Sequence, residues 1–176
     1  MSLWPQSGPP VMPILAPWNM FPFSVYTLNQ TATSGVTLFT VNLAVYFPVP
    51  VSERCRITRL WWVNGNTLNG NVDVGVYDSE ANRLVSTGST VQAGVSTAQI
   101  VTIATTDLPA GICYFAFVAN SGTARYLTGG SLANGPNVGI RQQASAFPLP
   151  ATATFASCVT TPLPKFGAIK APRTVL

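Results

Sequence analysis

The stretch Asn71–Thr90, NVDVGVYDSEANRLVSTGST, decides the fold class. Val72, Val74 and Val76 alternate with Asp73, Gly75 and Tyr77. A period of two belongs to a β-strand, whose successive side chains point to opposite faces. DSEAN (Asp78–Asn82) supplies a turn, because Asp, Ser and Asn side chains bond their own local backbone. RLVSTGS then returns antiparallel, completing a hairpin.

Neighbouring segments read the same way. CRITRLWWV (Cys55–Val63) is a strand that runs into the turn cluster NGNTLNGN (Asn64–Asn71). In VTLFTVNLAVYF (Val36–Phe47), Phe39, Val41, Leu43, Val45 and Phe47 share one face, and Thr40 and Asn42 alternate with them. Downstream, strands are expected at AQIVTIAT (98–105), TARYLTG (123–129), NVGIRQQ (137–143) and ATATFASCVT (151–160). GICYFAFVAN (111–120) is nearly continuous apolar sequence, the signature of a central strand covered on both faces. No helical period and no internal repeat appears. The expectation is an all-β fold, an antiparallel β-sandwich of jelly-roll type, with a closed barrel as the alternative.

With 176 residues the chain is expected to form one domain with a core sufficient without disulfides or metals. Apolar residues make up 47% and charged residues 8%, against about 25% charged in an ordinary soluble domain. Such a composition excludes disorder and suits a subunit whose surface is covered by neighbours. No apolar run approaches the roughly 20 residues of a membrane helix, so no membrane span is expected. MSLWPQSGPP lacks the charged end and apolar run of a secretory signal, which points to synthesis in the cytosol. Cys55, Cys113 and Cys158 are odd in number with no CxxC spacing, and read as buried free thiols.

Charge is laid out unevenly. Residues 1–52 contain no Lys, Arg, Asp or Glu, and no acidic residue follows Asp107. Residues 1–23 hold six of the fifteen prolines, which forbids a helix and favours an extended course. An extended segment cannot bury its own rings, so Trp4, Ile14, Leu15, Trp18, Phe21 and Phe23 call for another surface. The expected organisation is an extended Pro/aromatic arm (1–35), a jelly-roll sandwich (36–160) and a basic extended tail (161–176).

Little in the sequence carries chemistry. Without histidine there is no Ser-His or Cys-His pair, and no phosphate loop or zinc pattern appears. The carboxylates are Glu53, Asp73, Asp78, Glu80 and Asp107; Asp73 and Asp78 lie an odd number apart and would face opposite ways on one strand. No catalytic residue, metal ligand or cofactor is assigned. Asp78, Glu80 and Asn82 hold a fragment of a calcium-loop spacing but fit turn chemistry better. Of Trp61 and Trp62, adjacent on a strand, one would enter the core and the other point outward. Covered, the outward ring is a packing element; open, it would be a contact or glycan platform beside Asn64 and Asn66. Lys165, Lys170 and Arg173 in the tail are too sparse for a nucleic-acid track and suit an acidic protein surface or simple solubility.

The run RLWWVNGNTLNGNVDVGVYDSEANRLVSTGST, followed by TTDLPAGICYFAFVAN, resembles small jelly-roll virion proteins of tailed bacteriophages. These include capsid decoration (cement) proteins and domains of tail or fibre components. The resemblance covers Arg59 to Asn120, leaving both arms outside. It implies a structural or adhesive role in a virion assembled in the host cytoplasm, with no catalytic residues to carry over. The implied partners are further copies of the chain, as a homotrimer, and other virion proteins such as the major capsid protein. The alternative is a tail or tail-fibre component that binds a host receptor or glycan.

Overall fold

The structure, a computed structural model, describes residues 14–15, 36–38, 40–132, 139–158 and 161–171. Among the described residues every element is a strand and every pairing is antiparallel. Two sheets pack as a sandwich. The smaller has the order β1 (Ile14–Leu15), β14 (Phe166–Lys170), β4 (Cys55–Val63), β8 (Ala98–Leu108). The larger has the order β12 (Ala156–Ser157), β11 (Arg141–Gln143), β3 (Ala44–Val51), β9 (Gly111–Ala119), β5 (Asn71–Tyr77), β6 (Arg83–Ser86). β7 (Thr90–Val91) pairs with the start of β5, opposite Asn71 and Val72. A short third sheet joins β13 (Thr161–Pro164), β10 (Arg125–Leu132) and β2 (Val36–Leu38).

The main core lies between the two large faces and follows the period-two pattern. Val45, Phe47, Val49 and Val51 of β3, Val72, Val74 and Val76 of β5, and Phe115 and Phe117 of β9 meet Ile57, Leu60 and Trp62 of β4 and Phe166 and Ala168 of β14. The Phe166 ring sits 5.5 Å from that of Phe47 and 5.6 Å from that of Phe117, at the tilted angles that aromatic quadrupoles prefer. The outer face of the larger sheet is also covered. Ala146, Leu149 and Ala153 lie on Ala44, Tyr46, Tyr77, Ala116 and Val118. β9 is therefore buried on both faces, as its unbroken apolar run suggests.

Two expectations need correction. Val36–Phe47 is not one strand: β2 ends at Leu38, and residues 40–43 turn before β3 begins at Ala44. Asn42 adopts φ 58° there and the Leu43 N–H returns to the Thr40 carbonyl, a left-handed conformation that Asn tolerates. The alternation in sequence runs on across this break, and Val41, placed on the apolar face, stands 45% exposed in the turn. Nor do the described residues of the expected tail, 161–171, lie beyond the sandwich. β13 pairs with β10, and β14 lies between β1 and β4 with Phe166, Ala168 and Ile169 buried. The apolar FGAI run carries more weight than the prolines before it, which sit in β13.

One edge bears prolines. Beyond Tyr46, β3 has β9 on one side and, among the described residues, no strand on the other. Pro48 and Pro50 occupy this half, two residues apart, so both ring nitrogens face the same side. The register with β9 runs unbroken through both, which places those nitrogens on the open side.

Candidate functional site

Strand direction gathers four connections at one end of the sandwich: 40–43, 64–70, 87–97 and 120–124. β4 and β9 finish there, and β3, β5 and β8 start there. Hydrogen bonds tie the loops to one another. Asn69 Nδ2 donates to Thr123 Oγ1 at 2.6 Å, the Asn71 N–H to Asn120 Oδ1 at 2.7 Å, and the Ser96 N–H to the Gly65 carbonyl at 2.8 Å.

Asn64 sits at the centre, fully buried. Its Oδ1 accepts from Trp62 Nε1 at 2.8 Å and from Gln92 Nε2 at 3.0 Å. Its Nδ2 donates to the Ala93 carbonyl at 2.7 Å and to Gln99 Oε1 at 3.0 Å. Gln99 Oε1 also accepts the Ala93 N–H, and Gln92 Oε1 accepts the Asn69 N–H. All four hydrogen-bonding positions of the Asn64 amide are thereby used within the chain. Gln92, in a loop, and Gln99, at the start of β8, were not singled out from the sequence, where each looks like any solvated glutamine.

The residues expected as an open contact or glycan surface are mostly inside. Trp62 belongs to the main core. Trp61, the outward ring, is 5% exposed, packed with Val63, Leu127 and Ile169. Leu127 comes from β10, so the third sheet covers the ring that the strand alone would leave open. Of Trp61, Trp62, Asn64 and Asn66, only Asn66 is exposed.

Three carboxylates are committed to local structure. Asp78 Oδ1 accepts the backbone N–H groups of Glu80 and Asn82, closing the β5–β6 turn. Asp107 binds Arg54 at 2.9 Å and Arg56 at 3.0 Å, and their guanidinium groups hold its carboxyl below the usual range. Asp73 is buried: Oδ2 accepts the Leu149 N–H at 3.0 Å and Oδ1 the Thr87 hydroxyl at 3.3 Å. Burial raises its pKa, and those two bonds and the charge of Arg83 only partly oppose the rise. Among the described residues no group of three or more His, Cys, Asp or Glu could hold a metal ion.

Cys113 and Cys158 are buried and Cys55 is half-buried, and none of the three forms a disulfide. Burial pushes the Cys113 thiol up to about 11 and raises the other two. Lys165 stands between β13 and β14, its N–H bonded to the Leu127 carbonyl and its carbonyl to the Val63 N–H. Lys170 closes β14, half-buried. Arg173 lies outside the described residues, as do Trp4, Trp18, Phe21 and Phe23. Ile14 and Leu15 form β1, paired with Ile169 and Ala168 of their own chain. Among the described residues no helix is long and apolar enough to cross a membrane. No family model matches the chain, and no curated protein matches it.

Proposed function

We propose that the chain is a non-enzymatic virion structural subunit of a tailed bacteriophage, a jelly-roll capsid decoration (cement) protein. In this reading its uncharged leader straps neighbouring copies together, as a homotrimer on the major capsid protein. One observation carries the reading: the first 52 residues bear no charge, and the first 43 of them come before the described cores, which draw on residues 44–169. Residues 1–43 enter the described sheets only through β1 and β2, five residues in all. The structural commitments of Asp73, Asp78 and Asp107 support a non-catalytic role.

Apolar rings leaving water contribute roughly 25 cal/mol per Å², which offsets the ordering of an extended chain only when most of it is covered. Proline helps, because the free leader has less freedom to lose. Deletion of residues 1–23 tests the proposal. The truncated chain should retain its β-sheet circular dichroism and lose self-association and particle binding. Unchanged self-association and binding would remove the strap.

A second reading is a tail-fibre module that binds a receptor or glycan through the loop end, favoured by the exposed amides of Asn66 and Asn69. A glycan array that gives no signal with the intact chain would count against it.

A further inference from the structure

The two ends of the sandwich differ in charge. The segments 40–43, 64–70, 87–97 and 120–124 contain no Asp, Glu, Lys or Arg; Arg125 follows directly on the last of them, and the buried Asp73 reaches the Thr87 hydroxyl at 3.3 Å from inside the fold. At the opposite end, the 52–54 and 78–82 turns contain Glu53, Arg54, Asp78 and Glu80, flanked by Arg56, Asp107 and Lys170. The exposed large apolar residues segregate the opposite way. Among the described residues, Val41 and Val95 stand in uncharged loops, Val91 on the short β7 between them and Ile100 just beyond, leaving only Ile112 at the charged end. Val91 is 66% exposed and Val95 57%, on either side of Gln92 and Ala93, which bond the buried Asn64 amide.

We propose that this uncharged loop end is the landing surface for the leader of a neighbouring copy, specifically residues 16–35 with Trp18, Phe21 and Phe23. The proposal rests on the strap reading above and names where the strap lands. Charge selects the surface. A leader without ions brings nothing to pair with Glu53, Arg54, Arg56 or Asp107, and covering them would strip their hydration without compensation. Covering the loop end removes apolar surface from water at no such cost, and the centres of protein interfaces are depleted of charge for this reason.

Topology places the leader within reach. β1 is antiparallel to β14, so the chain passes from Ile14 to Leu15 heading toward the loop end. It rejoins the described structure at β2, paired with Arg125–Leu127 beside Asn64. Twenty residues tethered at both ends can loop out about 30 Å. That is comparable with the width of a subunit of this length, roughly 40 Å. Val91 and Val95 are exposed among the described residues, and the choice of a second copy rather than the same chain follows from the strap reading, in which the leader runs between subunits.

The test uses full-length protein with a benzophenone amino acid at position 95, mixing copies of light and heavy isotope. After irradiation, cross-linked peptides should join position 95 of one isotope to residues 16–35 of the other. Cross-links confined to one isotope, or to other segments, would overturn the proposal. A V91E/V95E variant should weaken self-association roughly tenfold or more, while Ile112→Glu at the charged end leaves it unchanged. If V91E/V95E associates normally while the 1–23 deletion does not, the landing surface is wrong and the strap stands. If the intact chain stays monomeric at every accessible concentration, both are wrong.

Discussion

Leu149 is suspended from Asp73: its backbone N–H donates to the buried Oδ2 at 3.0 Å across 76 residues of sequence. Arg83 donates to the carbonyl of the same leucine, and Tyr77 Oη donates to the Pro150 carbonyl at 2.6 Å. These bonds seat the segment that covers the outer face of the larger sheet.

The Asp73 pKa is raised in the folded chain, chiefly by burial. Folding therefore favours its protonated form. The associated stability is complete below the unfolded pKa of about 4 and is lost as pH rises through the folded value. The thermal midpoint should fall across that window. Asp107, held low by Arg56 and Arg54, acts in the opposite direction and below it. Asp73→Asn keeps an acceptor for Leu149 and removes the charge, so it should flatten the dependence and raise the midpoint at neutral pH. Asp73→Ala orphans the Leu149 N–H and should cost about 1–3 kcal/mol. Calorimetry of the three chains across pH decides; a wild-type midpoint that climbs through the window would contradict the assignment.

Asn64→Ala should destabilise by roughly 2–4 kcal/mol in urea titration, because it strands Trp62 Nε1, the Gln92 amide and the Ala93 carbonyl in one change. Asn66→Ala, two residues on and exposed, should fall within about 0.5 kcal/mol of the parent. Equal costs would mean that the amide network does not hold the loop end together.

Gly75→Ala should loosen the covering segment. A Cβ there would lie 2.8 Å from Leu149 Cδ1, 3.0 Å from the Val85 carbonyl and 3.1 Å from Ser86 Cβ. The leucine could yield; the β6 backbone yields less. We expect about 1–3 kcal/mol of destabilisation. Hydrogen exchange should rise at Leu149 and Ala153 before it rises in β9.

After deletion of residues 1–23, Trp61 and Trp62 are the only tryptophans left. Both are buried, so emission should be blue-shifted and resist iodide quenching. Strong quenching in a chain that retains its β-sheet signal would mean that the leader, not Leu127 and Ile169, covers Trp61.

The hairpin from Asn71, the full span of β4 and the two-sided burial of β9 were legible because period two and turn chemistry act over a few residues. Where the sequence misled, the deciding contacts were distant. An alternation running through Thr40–Leu43 gives no sign that Asn42 reverses the chain. Proline spacing in 161–170 hides a strand that exists only because β4 has an open edge to pair with. Trp61 reads as outward-facing until β10, some sixty residues later, brings Leu127 across it. Asn64 and Asn66 look alike in NGN, and only the arrival of Gln92 and Gln99 makes one a structural keystone and leaves the other in water.

Pro48 and Pro50 have a consequence for how copies can meet. Along the half of β3 that has no second strand among the described residues, two missing N–H groups deny an incoming backbone the regular ladder it would need, so this margin is a poor template for fibre growth. With charged residues at 8%, few ionic side chains are at hand to guard an edge, and imino acids at that rim take over part of the task. Replacing both with threonine should leave the fold intact and shorten the lag before amyloid-dye fluorescence appears.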